Sequence, residues 1–281
     1  MLTLGKGDAL FLGDVGSAVP LGDITIDGGR DVTFDGSVHA SSLRQGAAPG
    51  TADDGDGETE FREPALFTGT RGVVLETASV RVLDDVSITG GASRFTADVL
   101  LAGDVLTASQ PVVFDRTLVI VDERTIDTTL PLVLSGPGFG GDITFDGTLD
   151  AIGEGASTLT LNAGVAERIF FEDLVGDSVP LDRITIEQAQ DVTARAMFTV
   201  GELFQTDTQD LTLFRGLEVL GDADLNGNRF RFMDTASFGG DVTITNFGLI
   251  DILPIPVTLG GSFVQDGIGI SNVATDLIAT D

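Results

Sequence analysis

The stretch from Val15 to Phe34 reads VGSAVPLGDITIDGGRDVTF, and it returns at Val175 to Ala194 as VGDSVPLDRITIEQAQDVTA. The two copies align without a gap, and a weaker match continues beyond them, so that roughly residues 2–45 and 159–205 form two repeat units. Internal repetition of this kind is typical of stacked architectures, in which each unit packs on its neighbour. The identical residues are Val15, Gly16, Val19, Pro20, Leu21, Ile24, Thr25, Ile26, Asp31, Val32 and Thr33.

Apolar and polar residues alternate within the repeated stretch. Ile24 and Ile26 are separated by a threonine, and Val32 and Phe34 are separated in the same way. Such alternation predicts strands with one buried and one solvated face. The short Gly28-Gly29-Arg30 segment between them is typical of a corner. The phrase DVTFDGSVHA of residues 31–40 also recurs as DITFDGTLDA at residues 142–151.

Short strands joined by glycine corners predict an all-β fold, a parallel β-helix in which residues 1–281 form one continuous β-solenoid. About 20–25 residues per coil would give about 11–14 coils, or about a dozen. With about 4.8 Å between stacked strands, the rod would be about 55–65 Å long. The 18 phenylalanines are expected to form part of an internal ladder. Residues 46–64 are acidic and glycine-rich, and they are expected to leave the stack as a loop.

Composition excludes several classes of partner and of site. The chain has 44 acidic and 15 basic residues and a net charge of −29, which argues against binding to nucleic acid or to anionic membranes. It has no cysteine, and therefore no disulfide, no thiolate metal site and no cysteine nucleophile. Neither a signal peptide nor an apolar run long enough to insert into a bilayer is apparent.

One segment carries the spacing of a calcium ligand set. Asp53, Asp54, Asp56 and Glu58 place carboxylates on a loop made flexible by glycine, and calcium prefers hard oxygen ligands. We predict these four residues as candidate calcium ligands. The alternative interpretation is a solvated acidic loop, because the full twelve-residue EF-hand pattern is missing. No other cofactor is expected.

Catalytic motifs are not apparent in the sequence. The pairs Asp84-Asp85 and Glu172-Asp173 are the closest approach to paired catalytic acids, and both are expected to be solvated corner residues. The single histidine, His39, is expected to be an exposed polar residue on a strand. A phosphate-binding glycine loop, a zinc-ligand spacing and a nucleophile elbow are all missing. The sequence therefore predicts a protein that is not an enzyme.

Three phrases carry a resemblance to a known family: GDITFDGTLDA, STLTLNAG and VGDSVPLDRITIEQAQDVT. They resemble the β-strand repeats of giant bacterial surface proteins related to filamentous haemagglutinin, most closely over residues 141–192. The resemblance implies a right-handed parallel β-helix that is secreted and serves as an adhesin or a scaffold at the cell surface. The chain shows neither the secretion-signal domain nor the outer-membrane barrel that the whole family pattern includes.

Together these observations predict a non-enzymatic, extracellular structural or adhesive protein, a rigid β-solenoid shaft or filament building block of a bacterial cell surface. Expected partners are further copies of the chain or neighbouring repeats of a longer one, with host or cell-surface glycans as a further class. Two alternatives stay open. One is a glycan-binding or glycan-cleaving β-helix, and the other is a calcium-dependent structural module.

Overall fold

The computed structural model describes residues 2–5, 7–46, 57–129, 139–153, 155, 157–253, 256–274 and 276–279. Every regular element in these ranges is a β-strand. The strands are β1 (Leu2–Gly5), β2 (Ala9–Phe11), β3 (Leu21–Gly28), β4 (Val32–Phe34), β5 (Val38–Gly46), β6 (Glu58–Phe61), β7 (Ala65–Phe67), β8 (Val73–Leu75), β9 (Ser79–Val82), β10 (Val86–Ile88), β11 (Ser93–Phe95), β12 (Asp98–Leu101), β13 (Val105–Thr107), β14 (Val112–Phe114), β15 (Leu118–Ile120), β16 (Glu123–Asp127), β17 (Ile143–Phe145), β18 (Leu149–Ala151), β19 (Thr158–Asn162), β20 (Arg168–Phe171), β21 (Leu181–Ala189), β22 (Asp191–Thr208), β23 (Leu211–Val219), β24 (Ala223–Gly227), β25 (Arg229–Phe232), β26 (Ala236–Phe238), β27 (Val242–Asn246), β28 (Leu249–Ile252), β29 (Val257–Leu259), β30 (Phe263–Gly267), β31 (Ile270–Val273) and β32 (Leu277–Ala279).

The strands stack in parallel to form a β-solenoid of about 12 coils, which confirms the predicted all-β parallel β-helix. Three columns of strands, here called faces, run along it. The first face holds β2, β4, β6, β9, β12, β15, β18, Val175, residues 198–200 and 217–219, β26, β29 and β32. The second holds Val15, residues 38–40, β7, β10, β13, β16, β19, residues 183–188 and 203–205, β24, β27 and β30. The third holds β1, β3, residues 43–45, β8, β11, β14, β17, β20, residues 192–194 and 212–214, β25, β28 and β31.

The coils have unequal lengths. On the first face, Val80 pairs with Val99 and Val99 with Leu118, a spacing of 19 residues. Leu118 pairs with Leu149, so the coil that includes residues 130–138 is longer. Of the predicted excursion at 46–64, residues 47–56 lie outside the described part of the chain. Glu58 to Phe61 form β6 within the stack, so the excursion ends earlier than predicted.

Phenylalanine rings form two ladders inside the solenoid, as predicted. On the first face, Phe11 and Phe34 stack at 4.8 Å between ring centroids, and the stack continues through Phe61. On the third face, four rings stack at 5.0–5.7 Å, in the order Phe95, Phe114, Phe145 and Phe171. Offset stacking of this kind adds to the stabilisation that comes from burying the ring area. The described chain contains no helix with the length and apolarity needed to cross a bilayer.

The two copies of the repeated phrase lie on different faces. From Val32 on the first face, six successive pairings lead through Thr59, Val80, Val99, Leu118 and Leu149 to Val175. Val192, the counterpart of Val32, lies two faces further on, on the third face. The copies are therefore six and two-thirds coils apart, and the phrase encodes one corner rather than one particular face.

Candidate functional site

Aspartate side chains at the corners connect one coil to the next. In each case a carboxylate oxygen accepts the backbone N–H of the matching corner in the following coil. At these corners the strand ladder has not yet begun, so the carboxylate replaces the backbone carbonyl that the N–H needs. The acceptor and donor residues are Asp8 and Asp31, Asp14 and Ser37, Asp31 and Glu58, Asp85 and Asp104, Asp104 and Thr125, Asp142 and Arg168, Asp191 and Leu211, Asp222 and Asp241, and Asp241 and Ser262.

Asp241 illustrates the charge of such a cap. The backbone N–H of Ser262 donates to its Oδ1 at 2.7 Å and lowers the pKa of the carboxyl, and the Ser262 hydroxyl, at 2.9 Å, lowers it further. A carboxyl with a lowered folded-state pKa stabilises the fold above its unfolded-state pKa. That contribution is lost as the pH falls through the folded-state value. Part of the acidic excess therefore has a structural role.

Three acidic side chains form a row along the corner that ends the third face. Asp115, Asp146 and Glu172 each follow a buried phenylalanine in three successive coils. An arginine lies at each end of this acidic row. Arg94 contacts both carboxylate oxygens of Asp115 at 2.7 Å, and Arg195 Nη1 donates to Glu172 Oε2 at 2.7 Å. Three carboxylates from successive coils therefore lie between two arginines.

The middle carboxylate of the acidic row differs from its neighbours. Asp146 has no arginine of its own, since Arg94 Nη2 lies 3.9 Å away and is engaged with Asp115. Partial burial raises the pKa of Asp146, and the negative charge of Asp115 raises it further. Asp115 is paired with an arginine, whereas its neighbour Asp146 retains its proton to higher pH. Acid–base catalysis uses pairs of carboxyl groups whose pKa values differ in this way.

We expect Asp146→Asn to raise the melting temperature at pH 7 by roughly 1 °C, because exposed charges are screened by solvent. A raised folded-state pKa means that the fold gains stability as the pH falls through that value, down to the unfolded-state pKa of about 3.9. The advantage of the variant should therefore shrink between pH 7 and pH 4 in thermal unfolding. As a control, Asp115→Asn should lower the melting temperature, because Asp115 is paired with Arg94. An Asp146→Asn variant that is less stable than the parent at pH 7 would contradict this account.

The predicted acidic pairs and the histidine all lie at the surface. Asp84 Oδ1 accepts the N–H of Asp85 at 2.7 Å, which makes it a local corner cap. Asp173 Oδ1 accepts the N–H of Leu174 in the same way, at 2.9 Å, while its neighbour Glu172 belongs to the acidic row. His39 is half-buried at the outward position of β5, between two buried residues.

Most of the predicted calcium ligands lie outside the described residues, namely Asp53, Asp54 and Asp56. Glu58 is described, and it begins β6. Its N–H donates to Asp31 Oδ1 at 3.2 Å, and its Oε1 lies 4.0 Å from Arg81 Nη1. Within the described ranges, no group of three or more histidine, aspartate or glutamate side chains is placed to hold a metal ion. The calcium hypothesis stays a prediction.

Sequence reasoning missed the acidic row, although a signal was present. Each acid ends a phrase of the type apolar–any–Phe–acid: residues 112–115 read VVFD, residues 143–146 read ITFD and residues 169–172 read IFFE. The phrases are 31 and 26 residues apart, since the positions of Asp115, Asp146 and Glu172 follow the unequal lengths of their coils. Only the pairing of β14 with β17 and of β17 with β20 brings them into one row.

Comparison with known proteins gives no relative on which to model a function. No protein-family model matches the chain, and neither a curated protein nor a solved structure does. The corner caps and the acidic row must therefore be interpreted from their own geometry.

Proposed function

We propose that this chain is a non-enzymatic, extracellular β-solenoid shaft of a bacterial cell surface, of the filamentous haemagglutinin type. The observation that carries the proposal is the continuity of the stack. Every coil from β2 to β29 contributes to one buried apolar core, and within the described stack the strands between its two ends pair with a strand above and a strand below. Load along such a rod is shared by many parallel backbone ladders, so its function needs no single reactive residue.

The ion pairs also support a shaft, because they run along its axis. Most arginines pair with a carboxylate in an adjacent coil. Examples are Arg30 with Asp8, Arg62 with Asp35, Arg81 with Glu58, Arg94 with Asp115, Arg168 with Asp191, Arg183 with Glu202, Arg195 with Glu172, Arg229 with Asp210, and Arg231 with Asp251. Exposed pairs of this kind contribute little singly, about 0–1 kcal/mol each. Because these ion pairs run along the axis, they add links between successive coils. The outer surface remains acidic.

Electron microscopy of the purified chain tests the proposal. We expect unbranched rods of uniform width, and for separate molecules a length of about 55–60 Å, from about 12 coils at about 4.8 Å each. Rods should appear with and without millimolar calcium. Compact particles would contradict the proposal. Rods that form only with calcium, together with a calcium-dependent rise in melting temperature, would favour the calcium-dependent structural module.

The acidic row favours one second candidate, a glycan-binding or glycan-cleaving β-helix. It offers outward carboxylates between two arginines, and Phe170, half-buried beside it on β20, offers an outward aromatic ring. Binding or turnover of a polysaccharide that Glu172→Gln and Arg195→Ala abolish would support this candidate. Rods that neither bind nor cleave a panel of polysaccharides would leave the shaft as the better interpretation.

A further inference from the structure

One outward column of side chains on the second face is interrupted by an aromatic ring. The strand pairings place at equivalent outward positions Thr125, Thr160, Thr185, Phe204, Asp224 and Thr243. Phe204 is half-buried, and its neighbours on the strand, Leu203 and Gln205, are buried. Leu203 belongs to the apolar core, whereas Phe204 does not. The ring of Phe204 is therefore an outward apolar surface on a face that is otherwise polar in this region.

A cavity of about 290 Å³ adjoins this ring on the outside of the solenoid. Three successive coils contribute its lining, which consists of Phe204, Gln205, Thr206, Asp224, Asn226 and Thr245. Ligand pockets in proteins usually have volumes of about 300–1,000 Å³. The cavity is at the lower end of this range, so it suits one ring-sized unit and not a long stretch of a polymer.

Most of the polar side chains around the cavity are available to a ligand. Within the described ranges, no side-chain hydrogen bond or ion pair is made by Thr206, Asp224, Asn226 or Thr245. Gln205 differs, because its Oε1 accepts the Thr212 hydroxyl at 3.0 Å inside the solenoid. The cavity therefore offers a carboxylate, an amide and two hydroxyl groups for hydrogen bonds to a bound molecule.

An arginine from the preceding coil holds the aromatic ring in place. Arg183 Cζ lies 4.8 Å from the centre of the Phe204 ring, and Arg183 Nε donates to Glu202 Oε2 at 2.9 Å. The face of an aromatic ring attracts a cation through its negative potential. Arg183 comes from the coil before Phe204, whereas Asp224 and Thr245 come from the two coils after it. The ring therefore lies between the guanidinium and the cavity, and its orientation is set before a ligand arrives.

The charges around the cavity indicate the class of ligand. Of the six lining residues only Asp224 is charged, and the nearby Arg183 is paired with Glu202. An anionic ligand, such as a uronate or a sulfated sugar, would be repelled by the unpaired carboxylate. A cationic ligand would compete with Arg183, because the guanidinium already uses the negative potential of the ring. These charges favour a neutral ligand.

A neutral ligand for this cavity needs an apolar side and several hydroxyl groups. The apolar side would pack against the Phe204 ring through dispersion contacts. Hydroxyl groups can donate to the Asp224 carboxylate, and they can both donate to and accept from Asn226 and Thr245. A pyranose sugar has this chemistry, with C–H groups on one side of the ring and hydroxyl groups around its edge.

We propose that the cavity beside Phe204 binds one neutral pyranose unit of a glycan. The C–H groups of the sugar lie against the Phe204 ring, and its hydroxyl groups donate to Asp224 and exchange hydrogen bonds with Asn226 and Thr245. The site lies on the second face and is separate from the acidic row, which ends the third face. The inference goes beyond the proposed shaft function and does not depend on it, because three adjacent coils form the whole cavity.

NMR titration of the chain with the methyl pyranosides of glucose, galactose, mannose and N-acetylglucosamine tests the proposal. We expect at least one of them to shift the side-chain amide signals of Asn226, with a dissociation constant of about 1 mM for so small a site. Phe204→Thr introduces the residue that Thr185 supplies in the preceding coil, and it should weaken binding about tenfold.

A matched pair of variants on β27 tests the hydrogen bonds. Thr245→Val removes a hydroxyl group that lines the cavity, and it should weaken binding about fivefold. Thr243→Val, two positions earlier on the same outward side, removes a hydroxyl group that does not line the cavity. Binding by the Thr243→Val variant should equal that of the parent.

Several results would overturn the proposal. These are the absence of shifts at Asn226 with all four glycosides, and equal binding by the parent and the Phe204→Thr variant. Tighter binding of methylammonium than of any glycoside would also overturn it, because the cavity would then select cations. Electron microscopy of the Phe204→Thr variant should show the same rods as the parent, since the ring lies outside the core. Failure of the sugar site and failure of the shaft proposal can therefore be told apart.

Discussion

Replacing Phe145 by aspartate is expected to abolish cooperative folding of the solenoid. Phe145 is 1% exposed, and its ring lies 5.7 Å from that of Phe114 and 5.0 Å from that of Phe171. Loss of a buried phenylalanine costs about 3–5 kcal/mol by itself, and burial of an unpaired carboxylate adds to that cost. The same is expected of Ile184→Asp, in the core of the second face. Circular dichroism during thermal unfolding measures both.

The matched control for Ile184→Asp is Thr185→Asp, one position along the same strand. Thr185 points outward, where its side chain is half-buried. A charge at this position remains in contact with water, so the change in stability should stay within about 1 kcal/mol. Phe145→Asp or Ile184→Asp variants that melt like the parent would show that the interior ladder does not stabilise the rod.

Gly176→Ala is expected to destabilise the chain by about 2–4 kcal/mol. Gly176 has φ +70°, a left-handed conformation that costs an L-residue about 1–2 kcal/mol. An added Cβ would also lie 2.2 Å from the Thr199 carbonyl oxygen in the next coil, which is too close without a backbone shift. Because the Thr199 carbonyl lies in the next coil, a backbone shift would separate these two coils and weaken the hydrogen bonds between them. Urea unfolding gives the change in midpoint.

Gly153→Ala serves as the control for the glycine prediction. Nothing lies within 4 Å of a Cβ built on Gly153, and its φ is not in the left-handed region. Alanine at this position should change the stability by no more than about 0.5 kcal/mol. Equal losses in the two variants would mean that a general effect of alanine, and not the close approach at Gly176, determines the result.

The fold could be predicted from the sequence because its signals are local. The alternation around Ile26 and Phe34 sets the inward face within a few residues, and an aspartate directly before strands such as β4, β10 and β17 marks the corner. The acidic row could not be predicted in the same way. Asp115, Asp146 and Glu172 meet only because three coils of unequal length stack in a particular register. The number of residues in a coil depends on the lengths of its corner segments. A short sequence pattern does not give these lengths.

The strand that covers Val175 to Leu181 could not be predicted from the sequence, for a related reason. The sequence shows that Val19 and Val179 are equivalent, but it does not show which strand lies above each of them. That information is in the pairing of Leu149 with Val175, two residues 26 positions apart on either side of a complete coil. The repeat predicts the conformation of the corner, whereas the pairing of strands between coils determines which strand covers it.

The placement of the duplicated phrase on two faces has a consequence for how such a gene could change in length. Recombination between the copies would remove 160 residues and join Val15 directly to Gly176, within matching sequence. It would shorten the rod by six and two-thirds coils, or about 32 Å. Because six and two-thirds coils is not a whole number of coils, the part of the solenoid after the junction would be rotated by one-third of a turn about the long axis. Deletion or duplication between the two copies would therefore change the length of the rod. It would also change the direction, about the long axis, in which each face beyond the junction points.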